Sequence, residues 1–192
     1  MATTATAIDG IGIQYDVSGA GPPVLFLNGH ETRAAHWARQ RRALESRYRV
    51  ITFDNPNDST VKPVYPIPRL ADDAVAVLDH LGIERAHLVG LSIGSLIAQE
   101  MALRHPERVR SLTLVSAWVH AGPLGRIAQP ALVLAGAEDT LTPPHVSRAL
   151  AQALPNARFR LLPGGPDFIA EHSDRFNKAL LDFLAWLGAA SA

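Results

Sequence analysis

The stretch His87-Leu-Val-Gly-Leu-Ser92-Ile-Gly94, running on through Ser95-Leu-Ile-Ala-Gln-Glu-Met-Ala-Leu-Arg104 to His105-Pro106, decides the fold. His87 to Gly90 is a short apolar run, the length of a strand buried on both faces of a sheet. Ile93 to His105 reads as a helix, closed by the His-Pro step because proline disfavours helical backbone in the residue before it. Between them stands Gly-x-Ser-x-Gly. That spacing fits a sharp strand-to-helix turn lifting the Ser92 hydroxyl above the sheet, with Gly90 and Gly94 letting neighbouring backbone approach without a Cβ clash. The helix start at Ile93 aims its free N–H groups and positive dipole end at any developing oxyanion.

Outward from this turn, two periods alternate. Val24–Leu27, Val50–Phe53, Ser111–Val115, Ala131–Ala135 and Arg158–Leu162 are further short apolar runs, predicted as strands buried on both faces. Leu70, Ala74, Val77, Leu78 and Leu81 share one helix face, with Gly82 as its C-terminal stop. Phe176, Leu180, Phe183, Leu184 and Leu187 repeat the pattern, with Ser173 as predicted N-cap and Gly188 as stop. Ile8 to Val17 reads as a hairpin around Gly10 or Gly12, closed by the Gly/Pro-rich step up to Pro23. Strands alternating with helices predict a mostly parallel, doubly wound α/β sheet with an antiparallel pair at its beginning. The 192 residues are read as one domain, with Asn55–Pro68 and Ala117–Pro130 as the loosest segments.

Composition narrows the chemistry. Lysine plus arginine number 18 and aspartate plus glutamate 18, so no net positive charge recruits nucleic acid or an anionic membrane, and neither is an expected partner. With 47% apolar residues the core needs no staples, and the absence of cysteine removes disulfides, thiolate catalysis and Cys-based metal sites. The eight histidines show no His-Glu-x-x-His or comparable spacing, and Gly19-Ala-Gly21 precedes a strand instead of a helix. No metal, cofactor or phosphate loop is therefore expected. The start lacks a signal-peptide pattern, and the greasiest stretch, Ala86–Leu103, is broken by polar residues. A cytoplasmic protein meeting a small-molecule substrate is the expectation.

Taken together, these segments resemble the α/β-hydrolase-fold family, in particular its small bacterial esterase, enol-lactonase and epoxide-hydrolase-like branch. Val24-Leu-Phe-Leu-Asn-Gly29, followed by Trp37, resembles the oxyanion loop after the third strand. Ile51-Thr-Phe-Asp54-Asn55 resembles the segment after the fourth strand, and Leu88–Val115 the nucleophile elbow, its helix and the next strand. Pro130–Pro143 resembles the strand that delivers a catalytic acid, and Leu162–Gly165 with Glu171–Asn177 flank the place of a catalytic histidine. The resemblance implies Ser92 as nucleophile, Asp139 as the acid, and the backbone N–H groups of Ile93 and His30 as the oxyanion hole. Asn28, Gly29 and Trp118 are expected to line the ligand site. The activity implied is hydrolysis of a carboxylic ester or lactone. Halide-cleaving and epoxide-opening chemistry is disfavoured, because those relatives carry a carboxylate where Ser92 stands.

Three departures qualify this. Pro166 follows Gly164-Gly165 and precedes Glu171 by five residues, where the family has its histidine. Proline cannot take the serine proton, and losing the base costs on the order of 10⁴–10⁶ in rate. The family's helical cap between the sixth and seventh strands is replaced by the short crossover 117–130, predicting a shallow, wet site. Asp54–Thr60 lacks the usual glycines and arginine. His30, His120 and His172 are the candidate surrogate bases, with Asp167 a weaker carboxylate alternative. Without a cap, apolar surface around Trp118, Leu124 and Ile127 is expected to be exposed and to favour a homodimer. Two other readings fit the same departures: a non-hydrolytic descendant that cyclises, isomerises or only binds a small ligand, and an engineered, truncated scaffold.

Overall fold

In a computed structural model, residues 3–6, 12–30, 32–54 and 66–190 are described. Eight strands form one sheet: β1 (Thr3–Thr6), β2 (Gly12–Ser18), β3 (Pro23–Leu27), β4 (Arg49–Phe53), β5 (Ala86–Leu91), β6 (Val109–Val115), β7 (Ala131–Gly136) and β8 (Ala157–Leu162). Their order is β1-β2-β4-β3-β5-β6-β7-β8. β1 and β2 are antiparallel, as are β2 and β4; all other pairs are parallel. Six α-helices occur among the described residues: α1 (Ala38–Leu44), α2 (Ile67–His80), α3 (Ile93–Arg104), α4 (Pro144–Ala153), α5 (Phe168–Glu171) and α6 (Ser173–Ala190).

Two apolar layers sandwich the sheet because successive strand side chains point to opposite faces. Leu25, Leu27, Ile51 and Leu88 face a layer completed by Leu70, Val77, Ile97, Met101 and Leu150, from α2, α3 and α4. Val24, Phe26, Val50 and Val89 face one completed by Trp37, from the short turn Ala34–Trp37 before α1, and by Leu44, Phe168, Phe176 and Leu180, from α1, α5 and α6. The expected doubly wound sheet is therefore present, antiparallel at its beginning.

Several expectations shift. Gly12 lies within β2, opposite Thr6, so it is not in the hairpin turn; residues 7–11, including Gly10, lie outside the described residues. Ser173 is the first residue of α6, and Gly188 falls inside that helix, whose packed face carries it past the glycine. β8 is an edge strand with Arg158 and Arg160 exposed, so it is not buried on both faces. Gly82 does end α2: its φ is +63°, and the Ile83 N–H donates to the Leu78 carbonyl at 2.9 Å. The crossover after β6 makes only a short helical turn, Leu124–Arg126, yet Leu124 (8% exposed) and Ile127 (0%) are buried in the core. The predicted apolar patch thus reduces to Trp118 and Val119, 43% and 46% exposed. Most of the loose segment 55–68, and the Asp54–Thr60 loop beyond Asp54, fall outside the described residues. Among the described residues no helix is long and apolar enough to cross a membrane.

Candidate active site

The parallel strands bring their carboxyl ends to one edge, where open α/β sheets bind ligands. β5 ends at Leu91, and Ser92 adopts φ 51°, ψ −113° before α3 begins at Ile93. A non-glycine residue at positive φ is costly and persists only where its surroundings force it. Here the forcing contacts are visible. The Ser92 N–H donates to the Val115 carbonyl at 2.8 Å, and the Ser92 carbonyl accepts from the Ser95 N–H at 2.8 Å and the Ser95 hydroxyl at 2.5 Å. A Cβ on Gly90 would overlap the Gly94 carbonyl, and one on Gly94 would overlap the Leu27 carbonyl. Both glycines are thus required by close backbone approach. The Ser92 hydroxyl does not cap α3, leaving the helix N-terminus open toward the sheet edge.

The Asn28–His30 loop lies beside this turn, because Leu27 pairs with Gly90. Asn28 is 1% exposed, and its amide is occupied: Nδ2 donates to the Phe53 carbonyl at 2.7 Å, and Oδ1 accepts from Trp37 Nε1 at 2.8 Å. Its side chain therefore braces the loop against β4 and Trp37 and does not face a ligand, contrary to expectation. Gly29 packs near Leu91, and His30 is exposed beside it.

Asp139 is 4% exposed and held by three donors. Oδ1 accepts from the Leu141 and Thr142 N–H groups at 3.0 and 2.8 Å, and Oδ2 accepts from the Ser116 hydroxyl at 2.8 Å. Val115 and Ser116 thus touch the two candidate groups from consecutive positions: one carbonyl on Ser92, one hydroxyl on Asp139. The loop carrying Pro166 is pinned to the same place. Glu138 N–H donates to the Gly164 carbonyl at 3.0 Å, and Glu138 Oε2 accepts from the Gly164 N–H at 2.5 Å. A Cβ on Gly136 would stand 2.6 and 2.7 Å from the Gly164 and Gly165 carbonyl oxygens.

The candidate surrogate bases fare differently. His120 has both ring nitrogens engaged: Nδ1 accepts from the Gly122 N–H at 2.9 Å, and Nε2 lies 2.7 Å from Glu100 Oε2. That pairing removes it as a free base. His172 packs against the Pro166 loop, its Cδ2 2.8 Å from where a Cβ on Gly164 would sit. Asp167 lies 3.4 Å from His36 Nε2, an ion-pair distance without hydrogen-bond geometry. His87, on β5 well before the elbow, is held down to about 4 by burial, with Arg110 and Arg85 adding repulsion, and its Nδ1 stands 2.8 Å from the Ser111 hydroxyl.

Gln99, Ser116 and Ser147 carried no signal in sequence reasoning, since each is a polar residue in an apolar period. Gln99 is fully buried; Nε2 donates to the Ser95 and Trp118 carbonyls at 2.9 and 3.0 Å, and Oε1 accepts from the His120 N–H at 3.1 Å. It thereby ties the crossover, with exposed Trp118, to the first turns of α3. No group of three or more potential metal ligands occurs among the described residues.

Residues 22–124, more than half of the chain, match the family described as the alpha/beta hydrolase fold. The chain belongs to the α/β hydrolase fold family. A relative from Azorhizobium caulinodans, assigned by name as carbamate hydrolase RutD, is 40% identical over 112 residues, which is 57% of this chain and 42% of that protein. The chain thus matches less than half the length of that relative. A protein of the same name from Caulobacter sp. is 28% identical over 258 positions, covering 91% of this chain and 96% of the relative. Since 258 positions exceed the 192 residues here, that relative carries segments this α/β hydrolase lacks. Among solved structures, Est816, titled an N-acyl homoserine lactone degrading enzyme, superimposes with TM-score 0.87 at 26% identity over 94% of this chain and 100% of that one. An esterase from Thermogutta terrifontis gives 0.88 at 21% identity, over 97% and 99% of the two chains, a likeness of fold. These relatives are hydrolases or esterases by name, and the family match places this chain in their fold family.

Proposed function

We propose that the protein is a serine-type hydrolase acting on a small carboxylic ester, lactone or carbamate, with Ser92 as nucleophile. The observation that carries this is the strained Ser92 backbone at the strand-to-helix turn. A serine held at φ 51° costs stability, and the position serves attack on a carbonyl seated above the sheet edge. In this reading the N–H groups of Ile93 and His30 receive the oxyanion, Asp139 supplies the buried negative charge, and Gly29 and Trp118 border the substrate. Carbamate enters because the curated relatives bear that substrate class in their names, and its carbonyl chemistry is that of an ester.

With Pro166 in the base position, proton removal from Ser92 falls to water or to a nearby imidazole. His30, beside the oxyanion loop, and His172, against the Pro166 loop, are the two whose placement suits that task. Turnover is therefore slow, sustained by oxyanion stabilisation and binding, which leave ~10³–10⁴ over water in triad-deficient serine enzymes. Pro166 also supports a second reading, in which the site binds a small acyl ligand without turning it over.

Fluorophosphonate labelling read by intact mass, with Ser92→Ala as control, tests the proposal. Slow stoichiometric labelling that Ser92→Ala abolishes is expected. A folded wild-type protein that stays unlabelled over many hours would overturn it in favour of the binding role.

A further inference from the structure

Ser116 is the second of the two non-glycine residues at positive φ among the described residues, at 44°. It stands at the carboxyl end of β6, is 3% exposed, and its N–H donates to the Leu134 carbonyl at 3.0 Å. Turned this way, its hydroxyl reaches Asp139 Oδ2 at 2.8 Å. The next residue is held as tightly: the Ala117 N–H donates to Ser147 Oγ at 2.9 Å, and the Ser147 hydroxyl lies 3.2 Å from the Ala117 carbonyl. Ser147 is fully buried on α4, the helix that follows the Asp139 turn. Two serines therefore clamp the end of β6, Ser116 to the loop leaving β7 through the Asp139 carboxylate and Ser147 to α4 through the Ala117 backbone.

An aspartate whose Oδ1 is taken by two backbone donors presents Oδ2 as its outward-directed acceptor. In a complete serine triad an imidazole N–H occupies such an oxygen and keeps the acid oriented. Here no imidazole stands at 166, and a buried carboxylate oxygen without a donor is expensive. We infer that Ser116 is the positioning residue for Asp139: its hydroxyl holds one lone pair of Oδ2 and so keeps the acid aimed at the base position, with the other lone pair left for an imidazole. The strained backbone is what directs Oγ to that oxygen, as the strain at Ser92 directs its own hydroxyl outward. The inference rests on the reading of Asp139 as the acid of a hydrolase site, so its test has one arm independent of catalysis.

That arm is amide hydrogen exchange, read by NMR on the full chain, in Ser116→Gly. Glycine accepts φ 44° without strain, so the variant removes the hydroxyl and spares the backbone. Protection of the Thr142 amide, which donates to Asp139 Oδ1, should fall about ten-fold or more, whereas that of Ala117, held by Ser147, should persist. Unchanged protection at Thr142 would overturn the inference. The second arm places Ser116→Gly in a Pro166→His background with p-nitrophenyl acetate as substrate. Here kcat should fall about ten-fold with KM held, because orientation of the acid matters in the transition state and not in binding. Lost protection with unchanged kcat would reduce Ser116 to a structural clamp and overturn the positioning role. If Pro166→His shows no turnover at all, the hydrolase reading fails, and the exchange arm still decides whether Ser116 holds Asp139.

Discussion

Replacing Pro166 by histidine is the most direct perturbation of this site. The loop is already set: Gly164 is bonded twice to Glu138, the neighbour of Asp139, and Gly164 and Gly165 pack on Gly136. Asp139 Oδ1 is fully engaged, while Oδ2 accepts one hydrogen bond, from Ser116, and keeps a second lone pair for an imidazole N–H. Pro166 is exposed, so a larger side chain meets no core. Giving up the proline ring costs about 0.4–1 kcal/mol through the unfolded state. A positioned general base contributes about 10²–10⁴ in rate, or ~2.7–5.4 kcal/mol at 1.36 kcal/mol per decade, less than the ~10⁴–10⁶ lost when a base is removed from a fully evolved triad. Oδ2 is shared with Ser116 and the exposed loop leaves the site wet, so the lower half of that range, about 10²–10³ in kcat/KM, is the expectation. The assay is p-nitrophenyl acetate hydrolysis from pH 5 to 9, with Ser92→Ala in the same background. Pro166→His should gain an acidic limb near the ordinary imidazole range, and Ser92→Ala should abolish the gain. A folded Pro166→His protein with wild-type turnover across that pH range would refute the reasoning, because the geometry would then not be that of a triad lacking only its base.

Two stability predictions follow from groups on β5 and at the elbow. His87 titrates at about 4 in the fold against an ordinary 6.5, so the unfolded chain takes up the proton first as pH falls. Its contribution is complete above pH 6.5 and is lost on acidification toward pH 4, by at most about 3 kcal/mol. Urea melts should show that slope in wild type and a flattened one in His87→Gln; equal slopes would count against the assignment. In Gly94→Ala, helix propensity favours alanine by about 1 kcal/mol. Overlap of the new methyl with the Leu27 carbonyl outweighs it, because that oxygen belongs to a central strand and cannot rotate away. A net loss of about 2–3 kcal/mol is expected, and Gly125→Ala, with nothing within 4 Å, serves as the unaffected control in thermal melts.

Much of this architecture is written in local patterns. The runs at 24–27, 50–53, 87–90, 111–115 and 131–135 lie inside observed strands, because continuous apolar residues of strand length have few other ways to be buried. Gly82 marks the end of α2 because only a residue without a Cβ takes φ +63° freely. Gly90, Ser92 and Gly94 announce the elbow because their spacing encodes one tight turn. The helices α1 and α4 lacked such marks: neither carries a strong cap or a long apolar face, and packing on the sheet decides them. The edge position of β8 was invisible for a similar reason, since burial of a strand depends on what pairs with it.

The site divides along the same line. The sequence by itself determined that a Gly-x-Ser-x-Gly turn, an Asn-Gly step after β3 and an aspartate after β7 exist in this chain, and that residue 166 is a proline. Each is a property of contiguous residues. Only the tertiary structure decided that Asn28 braces its loop, that His120 is consumed by Glu100 and Gly122, and that Leu124 and Ile127 are buried. It alone brought Ser116 to Asp139, and Val115 to Ser92, from adjacent strands. Those outcomes rest on hydrogen bonds and contacts between residues distant in sequence, whose partners are set by strand order and register and not by any local spacing.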